Sequence, residues 1–252
     1  ERRLLEVAAT LEHRLEIVRT FLGAHVVPQD YANDPDGYVA LVCEGMLPGM
    51  GRFAEFADVW IDEGAFTPAQ GRTILRAAKA EGLTPKVHAE QLGHTGGSAV
   101  AAEFGAVSAD HLEFATAQDA DALALSRTVA VLLPGASMMT RGRFAPARML
   151  IERGVRVAVA TDFNPGTSYS ENLPLAAALA CAHLGLTVEE AILAITRHAA
   201  AAIAREYTHG VIRPGSRADL VVLEASHEAE IVYHYGAAPI AAVVKDGVPV
   251  DP

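Results

Sequence analysis

Cysteine, tryptophan and positive charge are all scarce in this chain of 252 residues. Its two cysteines, Cys43 and Cys181, lie far apart and form no Cys-x-x-Cys, so neither a disulfide framework nor a zinc knuckle is encoded. Both read as small buried hydrophobes in a reducing compartment. Lys and Arg number 20 against 31 Asp and Glu, a net charge of −11 with no basic stripe, which disfavours nucleic acid and anionic membrane surfaces as partners. The longest apolar stretch, residues 173–186, is too short for ~30 Å of hydrocarbon and contains Pro174 and His183. No Walker loop, Gly-x-Ser-x-Gly elbow or His-Glu-x-x-His is present, so the P-loop, serine-hydrolase and zincin readings fall away. Gly49-Met50-Gly51-Arg52 imitates a dinucleotide fingerprint but follows Leu47-Pro48 rather than a strand, and reads as a helix end or loop. No secretory leader is expected, since the chain opens on Glu1-Arg2-Arg3 inside an expected helix and without an initiator Met. A cytoplasmic protein is expected, and a chain that begins inside something longer.

What is present is apolar: 51% of residues are hydrophobic and only 20% charged, the composition of a globular chain of one or two domains. Short apolar runs that end in a polar residue alternate with helical periodicity. The runs are 17–21, 57–61, 84–87, 107–110, 129–133 and 155–160, and they lead into His25, Asp62, His88, His111, Pro134 and Asp162. Helices are expected over 36–46, from Thr67-Pro68, from Gly96-Gly97-Ser98, from Thr116, over 146–153, over 173–184 and over 188–207. Alternation of this kind argues for parallel βαβ units, and a TIM-type barrel would place all the strand-end polar residues on one face. After Tyr207 the pattern changes to short strands at 218–223 and 241–245 with a turn at Asp246-Gly247. The expected division is a barrel portion over 1–207 and strands of a small β-sandwich over 208–252. Six β/α units fall short of the eight a closed barrel needs, so the first two strands are expected to be missing from this chain.

Three strand ends carry His88, His111 and Asp162. Imidazole and carboxylate converging at a barrel mouth suit a metal ion and a general base, although capped or core roles would also account for each residue alone. Asp62 and Glu63 read either as groups that orient the site or as caps and solvated charge. His94 reads as a surface or supporting residue. The other histidines have no motif company, and the Ala-rich stretch 199–204 reads as core packing.

Three strings then carry a resemblance: Lys86-Val87-His88-Ala89-Glu90-Gln91-Leu92, Ser108-Ala109-Asp110-His111-Leu112-Glu113 and Thr161-Asp162-Phe163-Asn164-Pro165-Gly166-Thr167-Ser168. They resemble the amidohydrolase superfamily and, within it, the imidazolonepropionases of histidine degradation. Phe21-Leu22-Gly23-Ala24-His25, the 58–64 segment and Gly215-Ser216-Arg217-Ala218-Asp219-Leu220 fit the same pattern. The resemblance implies a metal-dependent hydrolase that opens the cyclic amide of 4-imidazolone-5-propanoate to N-formimidoyl-L-glutamate, with one zinc or iron ion and a homodimeric state. It implies His88 and Asp162 as metal ligands, Asp162 also as proton carrier, and His111 beside the substrate oxygen. His25, Asn164, Gly166 and Thr167 would contact substrate. Some members have glutamate at position 91; Gln91 here implies hydrogen bonding to substrate in place of a charged acid. No His-x-His occurs anywhere, although the family draws two further metal ligands from such a motif on its first strand. Two other readings stay open: a deaminase of a heterocyclic ring, disfavoured by Gln91, and a silent barrel fragment serving as a binding surface.

Overall fold

The computed structural model describes residues 1–250, in two compact units, Glu1–Thr128 and the part from Val129 onward. The first unit runs α1 (Arg2–Thr10), β1 (Thr20–Ala24), α2 (Pro35–Ala40), β2 (Phe56–Ile61), α3 (Pro68–Ala80), β3 (Thr84–Ala89), α4 (Gly97–Phe104), β4 (Ser108–His111), α5 (Ala117–Ser126). Its strands pair in parallel in the order β1-β2-β3-β4. Phe56, Val59 and Ile61 of β2 are all buried, as expected when both faces of a parallel sheet are covered. Parallel pairing brings every C-terminal strand end to one edge, with Trp60 opposite His88 and His88 opposite Asp110.

Local chemistry sets the helix starts. Thr67 accepts from Gln70 N while the Gln70 side chain accepts from Thr67 N, a capping box followed by proline at the first helical position. Thr116 and Asp119 do the same for α5. Gly97 opens α4 where a Cβ would lie 2.8 Å from Ala89 Cβ and 3.0 Å from the Ile61 carbonyl, so only glycine lets the helix approach the sheet so closely.

The second unit contains β5 (Val129–Leu132), α6 (Pro134–Thr140), α7 (Ala147–Glu152), β6 (Val157–Val159), α8 (Leu173–Leu184), α9 (Val188–Ile195) and α10 (Arg197–Ala202). β5 and β6 pair in parallel. Ala201 and Ala202 pack with Val129, Val131, Leu133 and Ala158 in one core cluster, which is the role expected of the Ala-rich stretch. Then follow β7 (Leu220–Leu223), α11 (Glu230–Tyr233), β8 (Ile240–Lys245) and β9 (Val248–Val250), the three strands forming an antiparallel sheet. Lys245 Nζ lies 2.8 Å from Asp219 Oδ2 and ties β8 to the start of β7. Successive parallel strands linked by helices give the chain the construction of an incomplete (β/α) barrel with a small antiparallel sheet appended.

Several boundaries differ from expectation. The helix expected over 36–46 is α2 followed by a wider π-helical turn, Leu41–Met46, closed by Leu47 N donating to Val42 O at 2.9 Å. Widening places both Val42 and Leu47 in the core. The helix expected over 188–207 breaks at Thr196, whose Oγ1 donates to Ile192 O at 2.6 Å in competition with the helical ladder. α6, α11 and β9 were not expected; Pro134 at the first position is the start signal that α6 carries. Both cysteines are free and half-buried rather than fully buried. Met50–Arg52 forms one 3₁₀ turn, consistent with a helix end or loop there. Among the described residues, no helix is long and apolar enough to cross a membrane.

Candidate active site

The C-terminal edge of the first unit gathers three imidazoles. The His25 and His88 ring centroids are 4.6 Å apart and those of His88 and His111 are 5.1 Å apart, both pairs meeting edge-on. Beneath them lies Asp58, only 3% exposed and on the same face of β2 as Trp60. His88 Nδ1 donates to its carboxylate at 3.0 Å, and His25 Nε2 stands 3.6 Å away from it. Asp110 Oδ2 approaches His88 Nδ1 at 3.6 Å from β4. Burial alone would raise the Asp58 pKa; His88 and His25 outweigh it and hold the carboxyl well below its usual range. Because a carboxylate only accepts, Nδ1 of His88 carries a proton, and Nε2 is the nitrogen that offers a lone pair when the ring is neutral.

His111 is buried in left-handed backbone at φ 78°, with Leu112 at φ 67° beside it. Its Nδ1 is buried without a hydrogen bond, 3.6 Å from Glu113 Oε1. His25 Nε2 is likewise buried without one. Buried polar atoms left in this way call for a partner such as water, an ion or a ligand.

Two carboxylates behind these rings organise the loop after β3. Asp62 accepts from the backbone N–H groups of Gln91, Leu92 and Gly93 at 2.6, 3.0 and 3.2 Å. Glu90, fully buried at φ 52°, accepts from Thr95, Gly96 and Ser98 at 2.6, 3.2 and 3.0 Å. Glu90 therefore caps the start of α4. Gln91 is half-buried, its backbone tied to Asp62. Glu63 is exposed. His94, exposed, has Nε2 2.9 Å from Asp119 Oδ2.

The second unit carries Asp162 in the segment after β6, with φ 51°. Asn164 binds this loop to itself: Nδ2 donates to Asp162 O at 2.7 Å and Oδ1 accepts from Gly166 N and Thr167 N at 2.8 Å. Thr167 Oγ1 points to Asp162 Oδ2 at 3.4 Å, and Ser168 Oγ donates to Thr161 O at 2.6 Å. Asp162, Asn164, Gly166 and Thr167 thus share one short loop, while His25, His88 and His111 share the edge of the first unit's sheet.

Asp58, Asp110 and Glu90 were not singled out from sequence as parts of the site. A carboxylate inside an apolar strand, as in Phe56-Ala57-Asp58-Val59-Trp60, was the available signal, because such a group stays buried only with a partner.

Comparison with protein families matches residues 61–250 to the amidohydrolase family. An imidazolonepropionase of Geobacillus kaustophilus is 46% identical over 98% of this chain and 59% of its own length. One from Haloarcula marismortui is 45% identical over 95% of this chain and 57% of its own. The chain thus spans a little over half the length of these curated relatives. Among solved structures, a zinc-bound adenosine deaminase from Xanthomonas campestris superposes with a TM-score of 0.70 at 19% identity, covering 94% of this chain and 61% of that one. A Xaa-Pro dipeptidase with bound methionine gives 0.71 at 18% identity, covering 100% and 71%. At these identities the structural likeness speaks to the fold alone.

Proposed function

Since the chain belongs to the amidohydrolase family, we propose that it is the greater part of a metal-dependent hydrolase opening the cyclic amide of 4-imidazolone-5-propanoate to N-formimidoyl-L-glutamate. The observation that carries this reading is likeness to imidazolonepropionases along nearly the whole chain, at an identity far above that of the solved structures. His88 and Asp162 are the ligands proposed for one zinc or iron ion. The donor chemistry fits: imidazole and carboxylate suit both metals, and with Nδ1 of His88 committed to Asp58, Nε2 is the nitrogen the neutral ring would offer to the ion. The bound ion would lower the pKa of water towards ~7, making hydroxide available at neutral pH.

The residues of the chain would do the rest. The Asp162 carboxylate takes the proton of the attacking water and returns it to the ring nitrogen as the C–N bond breaks. His111 donates a hydrogen bond to the carbonyl oxygen as negative charge develops there. His25 and Gln91 contact the substrate, and the self-bonded loop of Asn164, Gly166 and Thr167 holds the ring and product. We further propose residues 1–207 as the barrel portion, 208–252 as strands of a small β-sandwich (its last two residues lying outside the described ones), a homodimer, and a cytoplasmic setting.

In the full-length protein, elemental mass spectrometry is expected to find about one zinc or iron per chain, and the ultraviolet absorbance of 4-imidazolone-5-propanoate is expected to decay on mixing. Protein that stays metal-free after zinc and iron are offered, or full turnover by Asp162→Ala, would refute the proposal.

A further inference from the structure

We infer that Asp58 is a positioning residue: its buried carboxylate fixes the proton of His88 on Nδ1, so that the ring presents Nε2 to the metal in one orientation. The inference rests on the metal site proposed above. Both Asp58 oxygens lie within 3.1 Å of His88 Nδ1, and no rotation of the imidazole about its Cβ–Cγ bond keeps that contact while turning Nδ1 outward. Asp58 sits on the central part of β2, paired opposite Lys86 of β3, so the sheet itself holds the carboxylate in place. Asp110 approaches the same nitrogen from β4 at 3.6 Å, beyond hydrogen-bond reach, and acts as the weaker neighbour. Such an outer carboxylate raises the basicity of the ligand nitrogen and removes the ring's freedom to bind through the wrong one.

The test compares wild-type protein with Asp58→Asn, Asp58→Leu and Asp110→Asn in the full-length chain. Metal affinity is read by competition with a chromogenic zinc chelator, and the His88 tautomer by ring ¹⁵N chemical shifts of the metal-free protein. Asparagine still offers a carbonyl acceptor, so affinity is expected to fall modestly in Asp58→Asn and by roughly 10- to 100-fold in Asp58→Leu. Asp110→Asn is expected to change it less than either. In the neutral ring, the ¹⁵N shifts should report a proton held on Nδ1 in the wild type and a mixture of tautomers in Asp58→Leu. A purely structural role would lower the melting temperature of the metal-free variants without ordering their affinities in this way. Affinity in both Asp58 variants within about twofold of wild type, against the loss expected of an outer partner, or an unchanged tautomer in Asp58→Leu, overturns the inference. Wild-type protein that takes up no zinc, yet shows the Asp58-dependent tautomer, refutes the proposed metal site and leaves the positioning role standing.

Discussion

Glu90→Gln tests how the loop behind the histidines is held. Glu90 is fully buried and its two carboxylate oxygens receive three backbone N–H groups: Thr95 on Oε2, Ser98 on Oε1, and Gly96 shared between them. A glutamine at this position turns one oxygen into an NH₂ group that faces an N–H donor. Whichever way the amide flips, either Thr95 or Ser98 loses its acceptor. Losing one charge-assisted bond, together with leaving a buried donor unsatisfied, comes to about 3 kcal/mol. For a chain of this length that corresponds to a drop in melting temperature of roughly 6 to 12 °C. Scanning calorimetry measures the drop, and hydrogen exchange locates it, because the amides of Thr95, Gly96 and Ser98 should lose protection ahead of those in β2. A variant that melts within about 2 °C of wild type and keeps that protection would refute the assignment of Glu90 as a cap.

Gly97→Ala should destabilise by about 1 to 3 kcal/mol in urea unfolding, since the new Cβ would meet Ala89 Cβ at 2.8 Å. A gain of about 0.5 to 1 kcal/mol, as alanine gives in an uncrowded helix, would contradict it. His198 has a pKa lowered by burial, only partly offset by its Nδ1 contact with Val157 O at 2.9 Å. Its unfolded form binds a proton more readily, so its contribution to stability is present above pH ~6.5 and is lost as pH falls towards the lower folded value. Chemical denaturation of metal-free protein at pH 7.5 and pH 5.5, both chosen about one unit from the unperturbed value, should show that loss. In His198→Gln this part of the pH dependence should be missing, and an equal loss in the variant would rule His198 out as its source.

Much of the fold is readable from local signals. Thr67-Pro68 and Thr116 start helices because their hydroxyls meet an N–H three residues on, and each expected strand falls within three residues of the observed one. The break at Thr196 was hidden because a β-branched hydroxyl inside an apolar periodic stretch either continues the helix or back-bonds, according to its packing. In the site, His88 and His111 stand out through their position at strand ends. Asp58 does not, since its partner is thirty residues away and only the parallel register of β2 and β3 brings the two together. Glu90 and Gln91 stand side by side, two and three residues after His88. The left-handed turn of the backbone at Glu90 sends its carboxylate to the 95–98 amides.

Glu90, His111, Leu112 and Asp162, none of them glycine, all adopt positive φ just where strands end. That geometry restricts which substitutions can be interpreted. In a mutational library, valine, isoleucine or threonine at these four positions would be eliminated by backbone sterics before any chemistry was sampled, whereas asparagine and glycine would be admitted. Asparagine is therefore the informative replacement for His111 and Asp162, because it removes the imidazole or the charge while keeping a side chain that tolerates the conformation. A library scored only on activity would otherwise mistake an intolerant main chain for an essential functional group.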